Sequence, residues 1–339
     1  MVTIHMTSAQ VGRSLLLAAL VATPSHRTPP FPPVGRSTDN VSFKSGDLTL
    51  AGTLYLPTSP GRHPAIVVLH ASNGGTRDYH AYQHLARSLP PAGFAVLIYD
   101  RRGEGASTGT AGSATFRELA SDGVAAVAYL ETRSDIDRSR IGVWGVSQGG
   151  WLAPLAATMS PEISFVIAVS APGVTPAQQM DYSATYALHA AGAPQSAIDR
   201  TLEVRGVVDQ YFRGRSSRAD AERAIGTIRQ QPWFGQTFVS TDVPADPKQS
   251  RWYGQMDYDP LAVVTRVKVP ILFFYAQDDA YVPVDESMRL VRKAARVSDI
   301  TIRRIPGTDH FMETGKPLSA GPISRQYVDE LLAWLRRPH

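Results

Sequence analysis

Short, continuously apolar runs alternate along the chain with longer stretches whose apolar residues recur at helical spacing. After a predicted hairpin over 40–57, residues 65–69 form an uninterrupted β-branched run, as a strand buried on both faces should. A helix pattern over 79–89, a second buried strand over 94–99 and an amphipathic helix over 115–132 follow. Strands are predicted next over 141–145 and 163–170. From about 171 to 257 the pattern changes to three helix-like runs, 176–191, 194–212 and 217–230, with no buried strand. Strand character returns at 269–275 and 299–305, each followed by a helix pattern, 285–297 and 325–335. Alternation at this spacing predicts an α/β fold: βαβ crossovers building a mostly parallel central sheet, helices on both faces, and one helical cap insertion. Loops that carry function gather at the carboxyl ends of such strands.

Ahead of the hairpin, Arg13 and the apolar run 14–22, ending at Ala22, read as a secretory signal over 1–22. Leu20 is larger than the residue the cleavage signature asks for, and the run is too short to span a bilayer. Five prolines between Pro24 and Pro33 make 23–38 a linker, leaving 39–339 as the folded domain. Export to the periplasm or the exterior, without a stable membrane anchor, is the expectation. Three of the 34 basic residues, Arg13, Arg27 and Arg36, precede the first acidic one, Asp39. The remaining 31 face 30 acidic residues, so the folded part carries no charge excess that would point to nucleic acid. Cysteine is absent, which removes thiol nucleophiles, disulfides and thiolate metal sites. Nothing in the composition fixes an oligomeric state.

The chemistry centres on Gly145-Val146-Ser147-Gln148-Gly149, a G-x-S-x-G pattern between a strand and a helix-forming run. A serine lifted clear of the chain by a sharp turn needs neighbours without Cβ, and the helix behind it offers N–H groups to an anion. Serine also needs a base. Of nine histidines, only His70 and His310 fall at strand carboxyl ends. His310 follows the last strand and is the candidate base; His70 is read as bracing its loop. The imidazole needs a carboxylate, and Asp278 and Asp279 both end the preceding strand. Oxyanion donors are expected from the N–H of Gln148 and from the loop after 65–69, at Ser72 or Asn73. Asp100 and Gly103-Glu104-Gly105 are read as a capped tight turn. Trp151, four residues after Ser147, is a candidate wall for a substrate pocket, with buried packing the simpler account.

Five stretches taken together resemble the α/β-hydrolase superfamily from about Asn40 to the C-terminus. They are H-A-S-N-G-G at 70–75, D-R-R-G-E-G at 100–105, G-V-S-Q-G-G-W at 145–151, D-D-A-Y-V-P at 278–283 and G-T-D-H at 307–310. The chain is most similar to the bacterial esterase and prolyl-oligopeptidase-like branch, related to dienelactone hydrolases. The resemblance implies a catalytic triad of Ser147, Asp279 and His310, with Asp278 the runner-up acid. It implies a serine hydrolase that cleaves carboxylic esters through an acyl-enzyme, with no cofactor or metal and a small ester or acyl compound as substrate. An exopeptidase, an amidase or an acyl-thioesterase on the same scaffold, and a non-catalytic binding protein, are the competing expectations. Ala71 stands where the family usually has glycine, which leaves the second oxyanion donor open between Ser72 and Asn73.

Overall fold

The computed structural model describes residues 36–295, 299–315 and 321–337. The export signal expected over 1–22 therefore lies outside the described residues, as do the linker positions before 36 and the end of the helix pattern at 296–297.

The chain opens with strands β1 (Arg36–Ser45), β2 (Leu48–Pro57) and β3 (His63–Leu69), helix α1 (His80–Ser88) and strand β4 (Ala95–Tyr99). Helix α2 (Phe116–Glu131), strand β5 (Ile136–Val146), helix α3 (Gln148–Ala157) and strand β6 (Phe165–Val169) continue it. Then come helices α4 (Pro176–Ala190), α5 (Gln195–Phe212), α6 (Arg218–Gly226), α7 (Arg251–Gln255) and α8 (Pro260–Val264). Strand β7 (Ile271–Ala276), helix α9 (Val284–Ala294), strand β8 (Ile300–Ile305) and helix α10 (Arg325–Leu335) close it.

All eight strands join one sheet in the order β1-β2-β4-β3-β5-β6-β7-β8. Only β1 with β2 and β2 with β4 are antiparallel; from β4 across to β8 every pairing is parallel. The carboxyl ends of β3, β5, β7 and β8 therefore share one rim. Strand β1 starts inside the segment read as linker, because residues 36–38 pair with Pro57, Leu56 and Tyr55 through backbone bonds that side-chain pattern does not report.

Alternate strand residues feed two apolar layers. Val67, Leu69, Val143 and Phe273 pack with α2, α3 and α9, whereas Ile66, Val68, Trp144 and Phe274 pack with α1 and α10. Burial on both faces is why the strands read as continuous apolar runs. Gly142 lacks a side chain for a packing reason, since a Cβ there would meet the Phe165 ring at 2.1 Å. Helix α2 starts at a capping box, Thr115 and Glu118 each bonding the other's backbone N–H, a device worth about 1 kcal/mol.

Two compact units are distinguished, Ala184–Tyr253 and the sheet-bearing remainder. The first has its own small core, including Ile198, Val204, Phe212, Ala221 and Ile225. Within it Trp252 Nε1 donates to Asp209 Oδ1 at 3.1 Å and Tyr211 Oη to the Pro244 carbonyl at 2.5 Å. No helix of the described residues is long and apolar enough to cross a membrane.

Candidate active site

The turn from β5 into α3 is built around Ser147, whose φ of 57° and ψ of −119° fall where L-residues rarely sit. Such a conformation costs on the order of 1–3 kcal/mol and persists only where surroundings enforce it. They do so here by close approach. A Cβ on Gly145 would lie 2.0 Å from the Gly149 carbonyl oxygen, and one on Gly149 would lie 2.3 Å from the Leu69 carbonyl oxygen. The Ser147 N–H donates to the Val169 carbonyl and its own carbonyl accepts from the Gly150 N–H, both at 2.9 Å. Ser147 remains partly exposed amid buried neighbours.

Two strands along the rim, Asp279 and His310 meet. His310 Nδ1 lies 2.9 Å from both carboxylate oxygens of Asp279. A carboxylate only accepts, so the proton of the neutral ring sits on Nδ1 and Nε2 keeps its lone pair. Asp279 Oδ1 also accepts from the N–H groups of Tyr281 at 2.8 Å and Val282 at 3.0 Å, which fixes the carboxylate's direction. The Tyr182 hydroxyl on α4 donates to the Asp279 carbonyl at 3.1 Å. The His310 ring stands edge-on to Tyr281 and Phe311, with centroids 5.0 and 5.1 Å away. Asp278 is exposed instead, and its N–H ties the β7 loop to the Thr308 carbonyl at 3.1 Å. Within the described residues no hydrogen bond joins Ser147 Oγ to His310.

On the β3 side, the Ala71 N–H donates to the Tyr82 hydroxyl at 2.9 Å, and that hydroxyl donates to the Gly74 carbonyl at 2.9 Å. Ala71 is thereby occupied. The N–H groups of Ser72 and Asn73 have no acceptor among the described residues, and that of Gln148, first in α3, has no intrahelical one. His70 braces this loop: its Nε2 donates to the Tyr99 carbonyl at 2.6 Å, and burial, helped by the Arg101 charge, pulls it down to about 3. A ring so depressed stays neutral near neutral pH. Asp100 caps its turn by accepting from the Ala106 N–H at 2.9 Å and from the Arg77 side chain. Trp151 is buried, donates from Nε1 to the Pro172 carbonyl at 2.7 Å, and packs on Phe116 and Tyr258, a packing position under the rim.

Sequence reasoning missed Tyr82, Tyr182 and Arg101, whose side chains bond backbone carbonyls and N–H groups of loops outside their own elements. Only Arg101 carried a signal, its place in the D-R-R-G-E-G stretch.

The model of the X-Pro dipeptidyl-peptidase (S15) family matches residues 46–308. The chain belongs to the S15 family. The matched span includes Ser147 and Asp279 and stops two residues short of His310. Among curated relatives, esterase EstD of Thermotoga maritima is 22% identical over 312 residues, covering 88% of this S15 chain and 68% of EstD. The thiohydrolase apmlB of Arthrinium phaeospermum is 35% identical over 136 residues, 39% of this chain and 42% of that protein. The Pyrococcus furiosus esterase PF2001 superposes with a TM-score of 0.57 at 17% identity, covering 88% of this chain and 89% of that one. That likeness carries the α/β-hydrolase fold. The S15 chain is thus a hydrolase of the esterase and peptidase type.

Glu313, three residues past His310 in this S15 chain, is buried, with its Oε1 3.6 Å from His80 Nε2. Burial, reinforced by the Asp309 charge, pushes its carboxyl from 4.5 up to about 7. The folded chain therefore holds this proton more tightly than the unfolded one. The stability it contributes is complete below the ordinary value and is lost as pH rises through about 7. Between about pH 5 and 8 the melting temperature of Glu313→Gln should fall less steeply than that of the parent. Parallel curves in a calorimetric pH series would contradict this.

Proposed function

We propose that the chain is a carboxylesterase-type serine hydrolase working through an acyl-enzyme. The observation that carries the reading is the His310–Asp279 pair, at 2.9 Å, on the rim where Ser147 is held in its strained turn. In the reaction, Ser147 Oγ attacks the ester carbonyl carbon as His310 Nε2 takes its proton. This step requires an Oγ to Nε2 hydrogen bond to form in the substrate complex. Asp279 holds the ring tautomer and stabilises the imidazolium. The N–H groups of Gln148 and Ser72, or Asn73 in place of Ser72, receive the oxyanion. His310 then gives the proton to the leaving alkoxide; water, deprotonated by the same ring, attacks the acyl carbon, and the ring returns that proton to Ser147 Oγ as the acid leaves. This chemistry is complete without a cofactor.

Esters are placed ahead of amides on the likeness to esterase EstD, which covers 88% of this chain. A second reading, amide cleavage, draws on the description of the family, and thioester cleavage on the likeness to apmlB. A panel of short-chain aryl esters, X-Pro anilides and acyl-thioesters separates them. The ester reading expects the aryl esters to lead in kcat/KM by about 100-fold or more, close to 3 kcal/mol in transition-state energy. Preference for X-Pro anilides would replace it with the peptidase reading.

A further inference from the structure

Arg77 lies in the loop after β3 and Arg101 and Arg102 in the loop after β4, and two of the three take carboxylates. Arg77 pairs with Asp100 at 2.7 Å, and Arg102 with Asp122 at 2.8 Å. The third, Arg101, is buried, with 9% of its surface exposed, and spends its donors on neutral oxygens. Its Nη1 donates to the Ala71 carbonyl at 3.1 Å and to Gln148 Oε1 at 3.4 Å, and its Nη2 to the Ser72 carbonyl at 3.1 Å. Its own N–H donates to the Gly75 carbonyl at 2.7 Å. The guanidinium lies so close to this loop that a Cβ on Gly75 would sit 2.9 Å from its Nε and Nη2.

The acceptors matter because of what shares their peptide planes. In a trans peptide the C=O of one residue and the N–H of the next point in opposite directions. The plane carrying the Ala71 carbonyl also carries the Ser72 N–H, and that of the Ser72 carbonyl also carries the Asn73 N–H. One guanidinium thus sets the direction of both candidate oxyanion donors. A buried positive charge at the carbonyl end also polarises each amide and strengthens its N–H as a donor. The Gln148 contact ties this loop to the residue after Ser147, where the third donor originates.

We propose that Arg101 is a positioning residue of the oxyanion hole, orienting the Ser72 and Asn73 N–H groups and coupling their loop to the Ser147 turn. This rests on the serine-hydrolase reading. Its effect is on the charge that develops on the carbonyl oxygen, so it acts on kcat more than on KM.

The test compares Arg101→Gln, Arg101→Lys and Arg101→Ala with the parent on an aryl ester and on the matching thionoester. Rates are normalised to the active sites titrated by a fluorophosphonate, so that only folded sites count. Sulfur is a weak hydrogen-bond acceptor, so the thionoester draws little help from N–H donors. Arg101→Gln is expected to lower kcat on the oxygen ester by about 10- to 100-fold, less than direct loss of a donor, with KM changed by less than about threefold. The thionoester rate should fall much less, and millimolar methylguanidinium should restore part of the activity of Arg101→Ala. Arg101→Lys keeps the charge but not the fork, and should fall between parent and Arg101→Gln. Equal losses on both esters, or kcat of Arg101→Gln within about threefold of the parent, would overturn the proposal. Ser147→Ala is run alongside: activity surviving there contradicts the serine-hydrolase reading itself, whereas its loss with intact Arg101 variants contradicts only the role of Arg101.

Discussion

Ser147→Ala is expected to lower turnover of a simple aryl ester by about 10⁶-fold and leave the fold in place. The size follows from removing the atom that forms the covalent bond; only binding and the oxyanion donors then remain to act on water. The fold survives because the contacts that shape the turn are backbone ones, the Ser147 N–H to Val169 and the Gly150 N–H to Ser147. Alanine has the same Cβ as serine, so the cost of a φ of 57° is unchanged. Esterase kinetics and a thermal melt on the same preparation check both halves. A variant that keeps its melt and hydrolyses at the parent rate would remove Ser147 from the mechanism.

Asp279→Asn is expected to cost about 10⁴-fold in kcat through a different route. The Asn carbonyl oxygen can still accept from the Tyr281 and Val282 N–H groups, which Asp279 Oδ1 does at 2.8 and 3.0 Å. Its NH2 then faces His310 and demands an acceptor. The ring answers by moving its proton from Nδ1 to Nε2, which removes the lone pair that Ser147 needs. Binding changes little, so the loss falls in kcat. Asp278→Asn is the matched control: Asp278 is exposed, and its bond to the β8 loop is made by its backbone. Steady-state kinetics of the two variants should differ by orders of magnitude; similar rates would move the acid elsewhere.

The sheet was legible where strands are buried on both faces, because an unbroken run such as Ile66-Val67-Val68 has few other readings. Strand β5 is longer than its apolar pattern: the polar stretch from Asp137 to Arg140 lies within it, joined to β3 across a register shift. Helices α7 and α8 span five residues each, too few to show a helical period. Ser147, in its G-x-S-x-G turn, and His310 could be picked out as candidates because each follows a strand that ends on the same rim, whereas Asp279 was singled out only by the family resemblance of its loop. Strand ends alone left the two aspartates equivalent; in the structure Asp279 is buried against His310 and Asp278 is exposed. Tyr82 and Tyr182 were not legible. Each lies on a helix whose period predicts packing, and each acts through a hydroxyl on backbone atoms that pattern does not encode.

The most direct measurement is the site of reaction with a fluorophosphonate, located by mass spectrometry of the digested protein. Attack by an activated serine predicts one phosphonyl group per chain, on the peptide containing Ser147, absent from Ser147→Ala and slowed in Asp279→Asn. An adduct on another residue, or no adduct on protein that hydrolyses aryl esters, would contradict the account.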